Sequence, residues 1–179
     1  MARLCLSRAG LRASIPPMKI TREKLFERLA ELDIKTQTVE HPAAFTVEQA
    51  KAHRGDITGA HAKNLFLKDK KGVLWLVVCL EDREINMKEL KSKIGSAHLS
   101  FGKPDILMDV LGVEPGSVSP FTLLNDTENK VRVVLDQDMM ASPIMNFHPL
   151  ENTATTQISP DDLLAFIKSC GHLPDIVAL

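Results

Sequence analysis

Val73-Leu74-Trp75-Leu76-Val77-Val78-Cys79 is an unbroken apolar run, and its reading decides the fold. Its length suits a strand, and its continuity asks for burial on both faces, so the run belongs in the middle of a sheet. Immediately before it, Asp69-Lys70-Lys71-Gly72 reads as a polar turn, and Lys63–Lys68 as the preceding strand. The two strands form a hairpin, and the rest of the chain must supply its neighbours and its cover.

Upstream, Thr21 caps a helix whose Leu25, Phe26, Leu29 and Leu32 share one face, and Lys35–Val39 alternates as a strand. Thr46 and Gln49 form a capping box for a short helix ending near Gly55. Downstream, Asn86–Ile94 is helical and stops at Gly95. Pro104 opens another helix, with Ile106, Leu107, Val110 and Leu111 inward and Gly112 at its end. Strands follow at Val131–Leu135, Ile144–His148 and Thr153–Gln157. Ser159-Pro160-Asp161-Asp162 then starts a last helix through Leu163, Leu164, Phe166 and Ile167, terminated at Gly171. Strands and helices interleave without regular βαβ spacing. The expected fold class is α+β (mixed α/β): one domain with a central mixed sheet and surrounding helices.

At 179 residues, 44% hydrophobic and 25% charged, the composition is that of one ordinary globular domain. No apolar run is long enough to span a bilayer, so no membrane role is expected. A net charge of −1 gives no global attraction to nucleic acid, which would need a local basic patch. The three cysteines, Cys5, Cys79 and Cys170, have neither disulfide-framework nor zinc spacing and point to a reducing compartment. Cys79 reads as a small core hydrophobe. The six histidines make no compact metal motif, and no metal or other cofactor is expected.

Residues 1–18 stand apart. Arg3, Arg8 and Arg12 alternate with Leu, Ala and Ser, and no acid precedes Glu23. This composition is compatible with a mitochondrial presequence, but Pro16 and Pro17 interrupt its amphipathic pattern and favour a disordered extension. The domain is therefore expected over residues 19–179, in the cytoplasm, with a mitochondrial location as the alternative.

Three clusters carry chemistry. Gly112-Val-Glu-Pro-Gly-Ser-Val-Ser-Pro-Phe121 is a shaped loop, since proline fixes φ and glycine permits positive φ. Lys63-Asn64 places a cation and an amide at the start of an apolar strand. Asn146-Phe147-His148-Pro149-Leu150 puts an imidazole at a strand end, followed by Asn152 and a threonine-rich stretch. Walker, GxGxxG, HExxH and GxSxG signatures are absent from the sequence.

Taken together with His41-Pro-Ala-Ala-Phe-Thr46, these clusters resemble the YbaK/prolyl-tRNA-synthetase-associated editing domains, most closely the free-standing ProXp-ala group. The resemblance runs in order from about Leu25 to His172. It maps a family lysine onto Lys63, a Gly-x-x-x-Pro motif onto Gly116 and Pro120, and a histidine onto His148. It implies an aminoacyl-tRNA deacylase that hydrolyses mischarged Ala-tRNA(Pro), with Lys63, Gly116, Pro120 and His148 as the catalytic set. Cys-tRNA(Pro) deacylation and a non-catalytic tRNA- or synthetase-binding module are the alternatives.

An aminoacyl ester is already activated, so orientation and electrostatics can suffice without a triad. On this reading Lys63 holds a phosphate or ester oxygen near the CCA end, and Asn64 orients that end. Backbone from Gly116 through Ser117, Val118 and Ser119 to Pro120 places the aminoacyl carbonyl and α-amino group. Phe45, Val118, Phe147 and His148 wall a pocket small enough to exclude proline, as a second sieve requires. A terminal ribose hydroxyl assists water attack. Arg83, Lys88, Lys91 and Lys93 are the basic candidates for the tRNA body, with Lys88 and Lys91 on one helix face. The implied partners are aminoacylated tRNA(Pro) and a transiently associated prolyl-tRNA synthetase. Oligomeric state is left open.

Overall fold

A computed structural model describes residues 19–43 and 57–179. Along the chain run α1 (Arg22–Glu31), β1 (Gln37–Glu40), β2 (Ala60–Asp69), β3 (Leu74–Leu80), α2 (Met87–Ile94), β4 (Leu99–Phe101) and α3 (Pro104–Leu111). After a 3-10 turn at Pro120–Asn125 come β5 (Val131–Asp136), α4 (Gln137–Met140), β6 (Met145–Phe147), β7 (Ala154–Ile158), α5 (Pro160–Ser169) and β8 (Asp175–Val177). The expected extension over residues 1–18 and the capping-box helix at Thr46 lie outside the described residues.

The apolar run becomes β3, with every residue from Leu74 to Cys79 buried. Because strand side chains alternate, Leu74, Leu76 and Val78 enter one hydrophobic cluster while Trp75 and Val77 enter another. β2 pairs antiparallel with β3. Asp69 holds the connecting turn: its Oδ1 accepts the amides of Lys71 at 2.9 Å and Val73 at 3.0 Å. The sheet order is β1-β7-β6-β2-β3-β5-β8, with β4 on the far half of β2. β3 runs parallel to β5, β5 to β8, and β2 to β6; the remaining pairs are antiparallel. This is the mixed sheet expected. β2 begins earlier than its sequence suggests, because Ala60 and His61 pair with Met145 and Asn146.

Helices α1, α3 and α5 cover one face through Leu25, Leu29, Leu107, Leu111, Leu163 and Phe166. On the other face, α2 packs Leu90 against Leu67, Trp75 and Val77. Burying each such side chain stabilises the fold by about 1.5–3 kcal/mol. The helix signals fall where expected: Thr21 and Ser159 cap with their hydroxyls, and Gly95 and Gly112 close α2 and α3 at φ 67° and 71°. Cys79 is a core residue, and burial pushes its thiol up to about 11, so it stays protonated and inert at neutral pH. Among the described residues no helix is long and apolar enough to cross a membrane.

Candidate functional site

The pocket lies where the beginning of β2, the ends of β3 and β6, and the start of β7 meet. Its volume is about 60 Å³, and Ala62, Asn64, Phe147 and His148 line it together with His41, His61, Glu81, Asn146 and Thr155. Pockets for drug-sized ligands are several times larger, so this one suits a small group with polar atoms.

His148 follows β6 and is oriented from its ring. Its Nδ1 stands 2.9 Å from the carbonyl of Ala154, at the start of β7. A carbonyl can only accept, so Nδ1 carries the proton and, in the neutral ring, Nε2 is an acceptor. Burial holds the imidazole below the usual histidine value. The Ala154 carbonyl pulls the other way, and nearby His41 adds to the lowering. The two rings lie 5.9 Å apart. His41 is itself held by Thr155 Oγ1 at 2.9 Å and its own neighbour's carbonyl, Pro42, at 2.9 Å.

The Gly/Pro-rich loop sits against the same strand end. Ser119 is fully buried, and its hydroxyl donates to the His148 carbonyl at 2.7 Å. Two residues on, Phe121 packs edge-to-face on Phe147 with centroids 6.1 Å apart. Loop and strand end are thus joined by one polar and one aromatic contact. Gly116 has φ 96°, and among the described residues only Asn152, at 3.9 Å, comes within 4 Å of a Cβ placed there, so its need for glycine is conformational rather than steric. Ser117 donates its amide to Glu114 to close a turn, and Pro120 begins the 3-10 turn. Val118 packs at the edge of the main core. Gly112 and its helix end form the loop's frame: Asn125 Nδ2 donates to the Leu111 carbonyl at 3.0 Å.

Asn64, Phe147 and His148 therefore gather at the pocket, with the Gly116–Pro120 loop alongside. Lys63 does not join them. It pairs across the hairpin with Cys79, on the opposite face of β2 from Ala62 and Asn64, and its ammonium donates to the Arg83 carbonyl. Arg83 is engaged as well: it pairs with buried Asp136 at 3.3 Å, with Asp138, and with the backbone oxygen of Leu179 at 2.8 Å. Lys88, Lys91 and Lys93 are exposed on α2, which covers the face opposite α1, α3 and α5. Phe45 lies outside the described residues.

Sequence reasoning assigned no role to His41, His61, Glu81, Asn146 or Thr155, all of which line the pocket. His41 reaches it only because its amide bonds to Thr153 and β1 pairs with β7. Among the described residues no group of three or more His, Cys, Asp or Glu side chains could hold a metal ion.

Residues 41–166 match the family model described as the aminoacyl-tRNA editing domain. The chain is 42% identical over 161 residues to the prolyl-tRNA synthetase associated domain-containing protein 1 of Bos taurus, covering 87% of this chain and 94% of that one. It is 36% identical over 152 residues to the prolyl-tRNA editing protein ProX of Acetoanaerobium sticklandii, covering 84% and 93%. In fold it resembles a solved structure described as a candidate trans-editing enzyme for prolyl tRNA synthetase. That likeness has a TM-score of 0.65 at 20% identity, over 87% of this chain and 95% of that one.

Proposed function

The chain belongs to the aminoacyl-tRNA editing domain family, and from that premise we propose that it is a trans-editing deacylase hydrolysing the ester of mischarged Ala-tRNA(Pro). The observation that carries this reading is the pocket itself: about 60 Å³, with Ala62 and Phe147 as its apolar wall and a largely polar remainder that includes Asn64 and His148. A small, partly enclosed site of this kind suits a second sieve, which admits side chains smaller than the cognate one.

In the reaction, water adds to the ester carbonyl carbon and the bond to the ribose oxygen breaks. The ribose oxygen leaves with a proton, and free alanine is released. The protein's part is to hold and orient. Neutral His148, its Nδ1–H committed to Ala154, offers Nε2 as a fixed acceptor to a donor of the substrate. The amide of Asn64 orients the ester end. Exposed backbone around Gly116 lies on the loop that Ser119 fastens beside His148. An activated ester requires no covalent intermediate on the enzyme, and preorganised contacts of this kind lower its barrier.

The identities to editing relatives support this substrate class, and the resemblance to the ProXp-ala group favours alanine within it. The deciding experiment offers the purified chain Ala-, Cys-, Ser- and Pro-tRNA(Pro) at equal concentration. Preferential release of alanine with proline spared is expected. Faster release of cysteine would transfer the assignment to that amino acid, and tRNA binding without any hydrolysis would overturn the deacylase reading.

A further inference from the structure

Asn146 is buried, lines the pocket, and has a hydrogen-bond set that points away from any ligand. Its Nδ2 donates to two backbone carbonyls, Thr58 at 3.0 Å and Ala60 at 3.2 Å. Its Oδ1 accepts from Gln157 Nε2 at 3.3 Å, and the same Gln157 amide donates to Thr58 at 2.7 Å. Both hydrogens of the Asn146 amide are committed, so no donor remains for a substrate. What these bonds hold is the junction at which the chain enters β2.

A second feature converges on this junction. Gly59 sits between the two clamped carbonyls at φ 99°, and a Cβ there would lie 2.8 Å from the Ile144 carbonyl and 3.1 Å from Asn146 Nδ2. The backbone is seated flush against β6, with the Ala60 amide donating to the Ile144 carbonyl at 2.9 Å. Immediately beyond come His61, Ala62 and Asn64, which line the pocket together with His148.

We propose that Asn146 is a positioning residue of the pocket: by clamping Thr58 and Ala60 it sets how far Ala62 and Asn64 stand from His148. The kinetic part of this proposal rests on the deacylase reading; the geometric part does not. In a pocket of about 60 Å³, an outward shift of β2 by a fraction of an ångström changes both the room available and the alignment of the reacting groups. Asn146→Asp is nearly isosteric but sets a carboxylate oxygen against two carbonyl oxygens. Gly59→Ala pushes the same junction outward from the other side. Gln157→Ala removes a partly exposed member of the clamp and keeps the proposal testable if either buried variant fails to fold.

The test reads the unliganded protein first. Hydrogen exchange of the Ala60–Asn64 amides should rise about tenfold in the variants while amides of β3 and β5 stay protected. The Asn64 side-chain amide and His148 ring resonances should move with it. With Ala-tRNA(Pro), kcat should fall about 10- to 100-fold for Asn146→Asp while KM changes little, and less for Gln157→Ala. Wild-type exchange and resonances in all variants that fold would overturn the proposal. So would a uniform loss of protection across the sheet, which marks a general core residue. If wild-type protein hydrolyses no aminoacyl-tRNA, the deacylase reading fails, while local exchange and resonances still decide the role of Asn146.

Discussion

The buried hydroxyl of Ser119 donates a 2.7 Å hydrogen bond to the carbonyl of His148, tying the Gly/Pro-rich loop to the strand end that carries the pocket histidine. Leu150 donates its amide to the same carbonyl at 3.0 Å. Ser119→Ala leaves this acceptor one partner and loses the link between loop and strand. A net cost of about 1 kcal/mol is expected, read as a small drop in Tm. The effect on turnover should be larger, about tenfold, since the loop no longer keeps register with the imidazole. Measuring kcat and Tm on one preparation checks this; equal activity in the two proteins would contradict it.

His148 provides a pH prediction. Burial lowers its folded pKa beneath the unfolded value of about 6.5. Between those two values the unfolded chain binds more protons than the native one, so stability rises with pH across that window. The contribution is fully present above the unfolded pKa and is lost as pH falls through the folded one. Thermal melts from pH 7.5 down to pH 4.5 should show this acid loss, in part removed in His148→Gln, which cannot charge. A pH dependence identical in the two proteins would argue against a buried neutral imidazole.

Much of this architecture can be read in advance because the signals are local. The apolar run of β3 reports burial on both faces, and Gly95 and Gly112 mark helix ends where positive φ is required. β4 and β8 escape such reading: each has three residues, and β8 joins the sheet by backbone pairing to β5 with its side chains largely exposed. The 3-10 turn at Pro120 depends on the tertiary seat of Phe121 rather than on periodicity. At the site, Asn64 and His148 stand out as chemistry-bearing residues at element ends. His41 and Asn146 stand within the quoted motifs, but their roles are not legible there, because their places follow from pairing between strands far apart in sequence. Lys63 and Asn64 teach a further point. They face opposite sides of β2, and only Asn64 is on the side that lines the pocket, while Lys63 turns to the Arg83 carbonyl.

That alternation gives Lys63 its own prediction. Its ammonium holds the Arg83 carbonyl just past the end of β3, next to pocket-lining Glu81. Lys63→Met keeps the stem and removes the cation. Turnover should fall about tenfold as the segment after β3 loosens. The slope of log Kd for tRNA against log salt should stay that of wild type, because no phosphate contact is removed. A shallower slope by about one unit would instead place the ammonium on the nucleic acid.

Arg83 and the α2 lysines, grouped together by charge alone, should separate experimentally. Arg83 already serves Asp136, Asp138 and the Leu179 oxygen, and Asp136 is completely buried. Arg83→Ala strips Asp136 of its cation and leaves it the Leu80 amide at 3.5 Å. The expected result is a stability loss of about 1–2 kcal/mol, moderated by the guanidinium's partial exposure. Affinity for tRNA should change little. Lys88, Lys91 and Lys93 are exposed, and among the described residues none of them pairs with a carboxylate. Reversing Lys88 and Lys91 together should leave Tm nearly unchanged and weaken tRNA binding more at low salt than at high salt. Filter binding across a salt series, beside a thermal melt of each variant, distinguishes the two roles. If Arg83→Ala weakened tRNA binding with an intact Tm, its ion pairs would have to open for the nucleic acid. If the double reversal left binding unchanged at low salt, α2 would lie off the tRNA path and its lysines would be a solvated face.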